Sequence, residues 1–304
     1  MSALFTSALA ASSEAASGQH YPQGSLYVVA TPIGNLADIS LRALYLLGLV
    51  ETIACEDTRH TQTLLRAYGI DKSGSQLIAL HQHNEAQAAQ TVIDHLRLGQ
   101  RVAYVSDAGT PGISDPGARL VAAVRQQNLR CIPLPGPSSV TTVLSAAGIT
   151  EDQPGGFIFA GFLSTKTAER ERAVLALAAE PQAVVLLEAP HRIEALAVAL
   201  ASLGARAVTI GRELTKQFEE IATVSAKDLP AWLLHDANRL RGEFALVVHP
   251  APTQTETTQD TRVLKLLLEQ LPLKTAVKLA ADITGEPRNT LYQIALDLKS
   301  ASGA

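Results

Sequence analysis

Five times between residues 25 and 147 a short apolar run ends in a polar loop and gives way to a helical pattern. That alternation points to one architecture, an open sheet of mostly parallel strands with helices on its faces. The runs are residues 26–30, 52–55, 76–80, 102–105 and 129–134. The fullest instance is residues 102–117, VAYVSDAGTPGISDPG. It opens as a β-branched strand and passes into a glycine-rich loop without hydrophobic periodicity. Ser114, Asp115 and Pro116 then read as a helix start. In an open α/β sheet such a loop lies at the carboxyl edge, where ligands bind. Its glycines let backbone come close to a ligand, and the helix start offers unpaired N–H groups. The loop also carries a carboxylate, Asp107, and a hydroxyl, Thr110.

The other four runs end at residues 31–36, 56–61, 81–84 and 135–139, on the same edge of the sheet. A sheet stabilised only by packing has no need of Asp, Thr, Arg and His gathered on one edge, so a functional cleft is expected there. Glu56 and Asp57 form a carboxylate pair at a strand end. They can supply a base, anchor Arg59, or cap the next helix.

The second half has a different texture. Strands are predicted at residues 157–161, 183–187, 207–210 and 244–249, with 221–224 forming a hairpin with the third. This is a second α/β domain with more antiparallel character. The expected divisions are a disordered leader at 1–24, α/β domains at 25–136 and 137–251, a linker at 252–260, and a helical module at 261–304. The leader holds an A-x-A-like site at Ala8, Leu9 and Ala10, but no Lys or Arg, so it is not read as a signal peptide. In the module, two short helices joined at Gly285 resemble a helix-turn-helix, although a packing or dimerising cap is the competing reading. From Asp260 onward there are six Lys or Arg against five Asp or Glu, in a chain of net charge -4. That balance gives no global signal for nucleic acid.

Several chemistries lack their signatures. There is no GxGxxG fingerprint, P-loop, HExxH helix or GxSxG elbow. His60, His81, His83 and His191 sit in loops; the alternation of His81 and His83 suits a metal, but no carboxylate has partner spacing, so none is expected. Cys55 and Cys131 lie in strand-like runs and read as buried, reduced thiols of a cytoplasmic protein. No apolar run reaches membrane-spanning length.

Seven segments, in this order and spacing, carry a resemblance: ATPIGNLADIS, EDTRHT, SDAGTPGISDPG, PGPSS, EAPHRI, RELTKQFEE and GEFALVV. Together they resemble the ribosomal RNA small subunit methyltransferase I (RsmI) family of the tetrapyrrole methylase superfamily, over about residues 25–298. The resemblance implies two α/β domains with S-adenosylmethionine (SAM) folded between them. It implies methylation of the ribose 2′-OH of a cytidine in the decoding region of 16S rRNA, on the small ribosomal subunit, by a homodimer. It places SAM against Asp107, Ala108, Thr110, Ser138 and Ser139, and against backbone near Leu187 and Glu243. Leu187 stands where the family often has Tyr, which leaves a π-face unaccounted for.

SAM carries its own sulfonium, so the transfer requires no metal, and much of the rate comes from alignment. A ribose hydroxyl is a weak nucleophile and benefits from a base or a polarising cation. By loop position and residue type, the base candidates are Glu56, Asp57 and Glu188. Arg59, Arg192 and Lys216 are candidates to hold phosphate or polarise the hydroxyl. Two rival readings stand beside this one: methylation of a tetrapyrrole or other small molecule, which shares the fold and the cleft, and, from another class, a non-catalytic RNA-binding ribosome-assembly factor.

Overall fold

The computed structural model describes residues 5–81, 84–150, 156–251 and 257–301. The chain divides into two compact units, Met1–His249 and Pro250–Ala304. The first unit opens with helix α1 (Thr6–Ala16), followed by β1 (Ser25–Val29), α2 (Leu41–Leu49), β2 (Thr52–Cys55) and α3 (Thr58–Tyr68). Next come β3 (Leu77–Ala79), α4 (Glu85–Arg97), β4 (Val102–Val105), α5 (Gly117–Gln126) and β5 (Arg130–Leu134). These strands form an all-parallel sheet of order β3-β2-β4-β1-β5. Val28 on β1 lies opposite Tyr104 on β4 and Pro133 on β5. The proline is tolerated because β5 is an edge strand.

Both faces of this sheet are covered, which is why its strands read as unbroken apolar runs. Tyr27, Val29, Ile53 and Val105 pack on one side with Leu44, Leu47 and Leu65 of α2 and α3. Leu26, Ala54, Val102 and Tyr104 pack on the other with Val92, Leu96, Leu120 and Val124 of α4 and α5. Burial pushes the Cys55 thiol up to about 11, so it behaves as a small apolar side chain.

The chain then crosses to a second sheet through α6 (Ser139–Ala147). The elements there are β6 (Phe157–Gly161), α7 (Thr167–Leu177), β7 (Ala183–Glu188), α8 (Ile193–Leu200), β8 (Ala207–Arg212), β9 (Glu220–Ser225), α9 (Leu229–Leu234) and β10 (Phe244–Val248). The order is β6-β7-β10-β8-β9, parallel only between β6 and β7. Helices α7, α8 and α9 cover one face through Val174, Leu196, Leu200, Leu229 and Leu233. The other face receives Val140 and Val143 of α6, Leu214, and Ile33 from the loop after β1. That last contact brings the β1 loop against the second lobe.

The second unit is three helices, α10 (Thr257–Gln270), α11 (Leu273–Thr284) and α12 (Arg288–Ala301), around Leu264, Val277, Ala280, Leu291 and Ala295. Gly285 ends α11 in the left-handed region.

Two sequence expectations need correction. Residues 6–16 of the leader, expected to be disordered, form α1, with Ser12 and Ala16 buried. The Ala-rich segment has high helix propensity. Phe5, Ala8 and Leu9 give it an apolar anchor on the first core, with the Phe5 ring 5.2 Å from that of Tyr68. The expected linker also shortens: α10 already begins at Thr257, and residues 252–256 lie outside the described residues. No helix among the described residues is long and apolar enough to cross a membrane.

Candidate active site

The loops after β1 and β4 are stitched together at the carboxyl edge of the first sheet. Thr31 and Gly109 exchange both backbone hydrogen bonds at 3.0 Å, and the Thr31 hydroxyl donates to the Ser106 carbonyl at 3.1 Å. Gly109 has φ +83, and a Cβ there would lie 3.3 Å from Ile33 Cγ2. A side chain would be strained in backbone and crowded in space. Thr110 fixes the next turn by donating its hydroxyl to the Pro137 carbonyl at 2.9 Å.

The β2 loop is tied to the same place. Glu56 Oε1 accepts the Asp107 N–H at 3.0 Å, and Asp107 Oδ1 accepts the Asp57 N–H at 3.2 Å. The two loops therefore exchange carboxylate-to-backbone bonds. Burial, with the nearby charges of Asp107 and Asp115, raises the pKa of Glu56 against the opposing Asp107 hydrogen bond. Asp57 behaves in the opposite way. It caps α3 by accepting N–H bonds from Arg59 and His60, and it pairs with the Arg59 guanidinium at 2.8 Å. Those Arg59 bonds hold its carboxyl well below the usual carboxylate range. Of the roles open to Asp57, anchor and cap are both filled, and so low a pKa makes it a weak base.

From the second lobe, residues 213–219 reach back over the β1 loop. Glu213 and Thr215 hold left-handed backbone, φ 51 and φ 66, without being glycine. Each such residue costs about 1–3 kcal/mol and persists where its surroundings fix it. Here Glu213 N–H donates to the Glu243 carbonyl at 2.9 Å, and Glu213 Oε1 accepts the Glu243 N–H at 3.0 Å. Lys216 Nζ bridges Glu213 at 2.8 Å and Glu243 at 3.0 Å. Burial pulls its ammonium pKa down, but the two carboxylates outweigh that and hold it above its ordinary value. The Thr215 hydroxyl accepts the Asn35 N–H at 3.0 Å across the lobes. Gly34 lies beneath: a Cβ there would sit 2.4 Å from Lys216 Cγ and 3.0 Å from the Leu214 carbonyl oxygen.

Glu188 ends β7 and is buried, 3% exposed. Its Oε1 accepts the Ala189 N–H at 2.9 Å and lies 3.1 Å from Arg192 Nε. Its Oε2 has no hydrogen-bond partner among the described residues. Arg192 also donates to the Leu163 carbonyl, so it is a brace within the second lobe.

These features border two adjoining cavities. One, about 110 Å³, lies against the β4 loop and α6, and its wall includes Glu56, Ala108, Thr110, Ser138, Ser139 and Leu187. The other, about 350 Å³, is lined by Ala108, Ser139, Leu187, Glu188, Lys216 and Glu243, with apolar walls from Ile33, Leu214 and Ala245. Ala108, Ser114, Ser139 and Leu187 belong to both. The structure thus brings together Glu56, Ala108, Thr110, Ser138, Ser139, Leu187, Glu188, Lys216 and Glu243. Asp57, Arg59 and Asp107 border neither cavity. Arg59 is exposed at the start of α3, and the Asp107 carboxylate turns to the β2 loop.

Sequence reasoning missed Ile33, Ser114, Leu214 and Phe162, which also line the cleft. Ile33, Ser114 and Leu214 lie inside three of the segments that carry the resemblance; nothing comparable marks Phe162. Among the described residues no three His, Cys, Asp or Glu cluster as a metal site, and Gln82 and His83 lie outside them.

Comparison with known proteins adds to this geometry. The family model of the Tetrapyrrole (Corrin/Porphyrin) Methylases matches residues 25–230. That of the RsmI C-terminal HTH domain matches residues 254–299. The ribosomal RNA small subunit methyltransferase I of Escherichia coli O157:H7 is 47% identical over 279 residues, covering 90% of this chain and 96% of its own. A cobalt precorrin-4 methyltransferase of cobalamin biosynthesis shares the fold, with TM-score 0.54 and 17% identity over 75% of this chain and 98% of its own. A uroporphyrin-III C-methyltransferase from Thermus thermophilus, complexed with S-adenosylhomocysteine, aligns with TM-score 0.50 and 13% identity over 73% of this chain and 96% of its own.

Proposed function

The chain belongs to the ribosomal RNA small subunit methyltransferase I family, and from that premise we propose that it methylates the ribose 2′-OH of a cytidine in the decoding region of 16S rRNA, using SAM, on the small ribosomal subunit and as a homodimer. One observation carries the catalytic part of the reading. Glu56, half-buried with a raised pKa, borders the cavity that holds Ala108, Thr110, Ser138 and Ser139.

The residues present fit SAM. A cavity of about 350 Å³ is of small-molecule size. Its apolar walls at Ile33, Leu187, Leu214 and Ala245 suit the adenosine, and hydroxyls at Ser138 and Ser139 suit its polar atoms. Glu188 and Glu243 on its wall, and Glu56 on the wall of the adjoining cavity, suit a cationic ligand. When bound, SAM supplies an electrophilic methyl group that leaves a neutral thioether.

Of the base candidates, Glu56 fits the task best. A base is most effective when its pKa approaches working pH, and Glu56 is shifted toward it while Asp57 is shifted away. Glu188 is braced by Arg192 and stays with the cofactor wall. Lys216, held charged, suits a polarising role, and the exposed Asp57–Arg59 pair suits a phosphate contact at the rim. Asp107 holds the β2 loop in register with the β4 loop that carries Ala108 and Thr110.

The test is transfer of labelled methyl from SAM to small ribosomal subunits from cells lacking the modification, beside transfer to a porphyrinoid. Label in 16S rRNA alone is expected. Label in the porphyrinoid with none in rRNA would replace this reading with small-molecule methylation.

A further inference from the structure

A third and more open cavity, about 690 Å³, lies on the first lobe beyond Glu56. It is bordered by the loops after β2, β3 and β4, through Glu56, His81, Glu85, Ser114, Asp115 and Arg119 among others. It shares Glu56, Ser114 and Asp115 with the small cavity against the β4 loop. A group seated in this basin therefore meets Glu56 where it adjoins the small cavity that holds Ala108, Ser138 and Ser139.

Three carboxylates face the basin, and they are not equivalent. Asp115 is fully engaged: its oxygens accept from the Tyr104 hydroxyl at 2.8 Å, Gly117 N–H at 2.8 Å and Gly112 N–H at 2.6 Å. It holds the loop and has little left for a ligand. Glu56 is engaged through Oε1 and reserved for the reacting hydroxyl. Glu85 remains, paired with Arg119 at 2.5 Å.

Folding explains Glu85 better than it explains Arg119. Glu85 begins α4, where a negative charge suits the helix dipole. Arg119 lies in the first turn of α5, the end where a cation is disfavoured. Its side chain is 77% exposed while that of Glu85 is only 16% exposed, so the guanidinium end of the pair lies in solvent and is free to be shared with a ligand. An arginine at the wrong end of a helix, presented to a cavity beside the base candidate, suits a ligand better than it suits the fold.

The chemistry of the pair selects that ligand. Side by side, a carboxylate accepts and a guanidinium donates. Cytosine offers the complement on its Watson–Crick edge: an exocyclic amino donor beside ring nitrogen and carbonyl acceptors. Uracil puts a carbonyl where cytosine has the amino group, and so faces Glu85 acceptor to acceptor. A base drawn out of its stack into such a pocket is read by these edges. We infer that this basin is the acceptor-nucleoside subsite and that Glu85 and Arg119 read the target base as cytosine; the inference rests on the methyl-transfer reading above.

The full-length protein tests it, with Glu85→Gln and Arg119→Gln variants. Small subunits are reconstituted with 16S rRNA carrying either the natural cytidine or a uridine at the methylated position. The wild type is expected to prefer cytidine by about tenfold or more in kcat/KM. Each variant should lower the cytidine rate and narrow that preference, with SAM affinity and melting temperature unchanged. Variants that keep the wild-type rate and preference would overturn the inference, as would a loss that only steepens or flattens the salt dependence, which marks a phosphate contact. Wild-type protein that labels no rRNA nucleoside would overturn the underlying reading, and the inference with it.

Discussion

Glu56, the proposed base, borders the cleft with a raised pKa, and that shift bears on stability as well as on chemistry. Its folded-state pKa is raised, so its contribution to stability is fully present below its unfolded pKa and is lost as pH rises through the folded value. At neutral pH the charged carboxylate therefore works against the fold. Glu56→Gln retains an oxygen for the Asp107 N–H and removes that burden. We expect methyl transfer to fall by ~100-fold or more. The melting temperature at pH 7 should equal or exceed the wild type, with the difference vanishing at pH 4. A variant that is active, or that is less stable only at neutral pH, would show that the carboxylate is structural. The wild-type rate should rise with pH through a value above that of an unperturbed Glu and then level off. Asp107 gives the second residue-scale prediction. Asp107→Asn keeps an acceptor for the Asp57 N–H and loses the charge, so calorimetric affinity for SAM should fall ~tenfold while the protein stays folded. Unchanged affinity would remove Asp107 from the cofactor residues.

At the scale of elements, the strap at 213–219 is held in left-handed backbone over Gly34, with Lys216 as its clasp. Gly34→Ala places a methyl group where Lys216 and the Leu214 carbonyl now lie. Overpacking of this kind costs roughly 1–3 kcal/mol. The expected result is a lowered melting temperature together with weaker SAM binding, because Leu214 and Lys216 both line the cofactor cavity. A variant that loses stability but binds SAM normally would uncouple the strap from the cleft. The elements differ in how far they were legible in the sequence. The first sheet was readable because both its faces are buried, which writes each strand as an apolar run such as Val102–Val105. Helix α1 was not, since an Ala- and Ser-rich segment reads as solvated until Phe5 and Leu9 find a core to pack on. The loops that build the site were legible as polar segments on one edge. Which side chains meet was not, because the Glu56–Asp107 exchange joins residues 51 positions apart. Apolar walls such as Ile33 and Leu214 look like packing until the second lobe closes over them. Asp57 was readable only as an open choice, and the α3 cap decided it.

On the scale of the whole molecule, we assign chemistry to the first compact unit and propose substrate capture for the second. The helical unit has its own core, and Lys274, Lys278 and Arg288 supply cations in an otherwise acidic chain. Deleting residues 252–304 should leave SAM affinity intact, weaken binding to the small subunit and flatten its salt dependence, because fewer phosphates are neutralised. If the unit serves instead to hold the dimer, sedimentation will show monomers while the salt slope stays unchanged. The central claim, that this chain methylates a cytidine ribose in 16S rRNA, is tested most directly by nucleoside mass mapping. The rRNA comes from a strain lacking the gene, before and after the wild-type or Glu56→Gln protein is restored. The expected result is a 2′-O-methylcytidine in the decoding region that is absent in the deletion strain, returns with the wild type and stays absent with Glu56→Gln. An rRNA whose modifications are the same in all of these strains would contradict it.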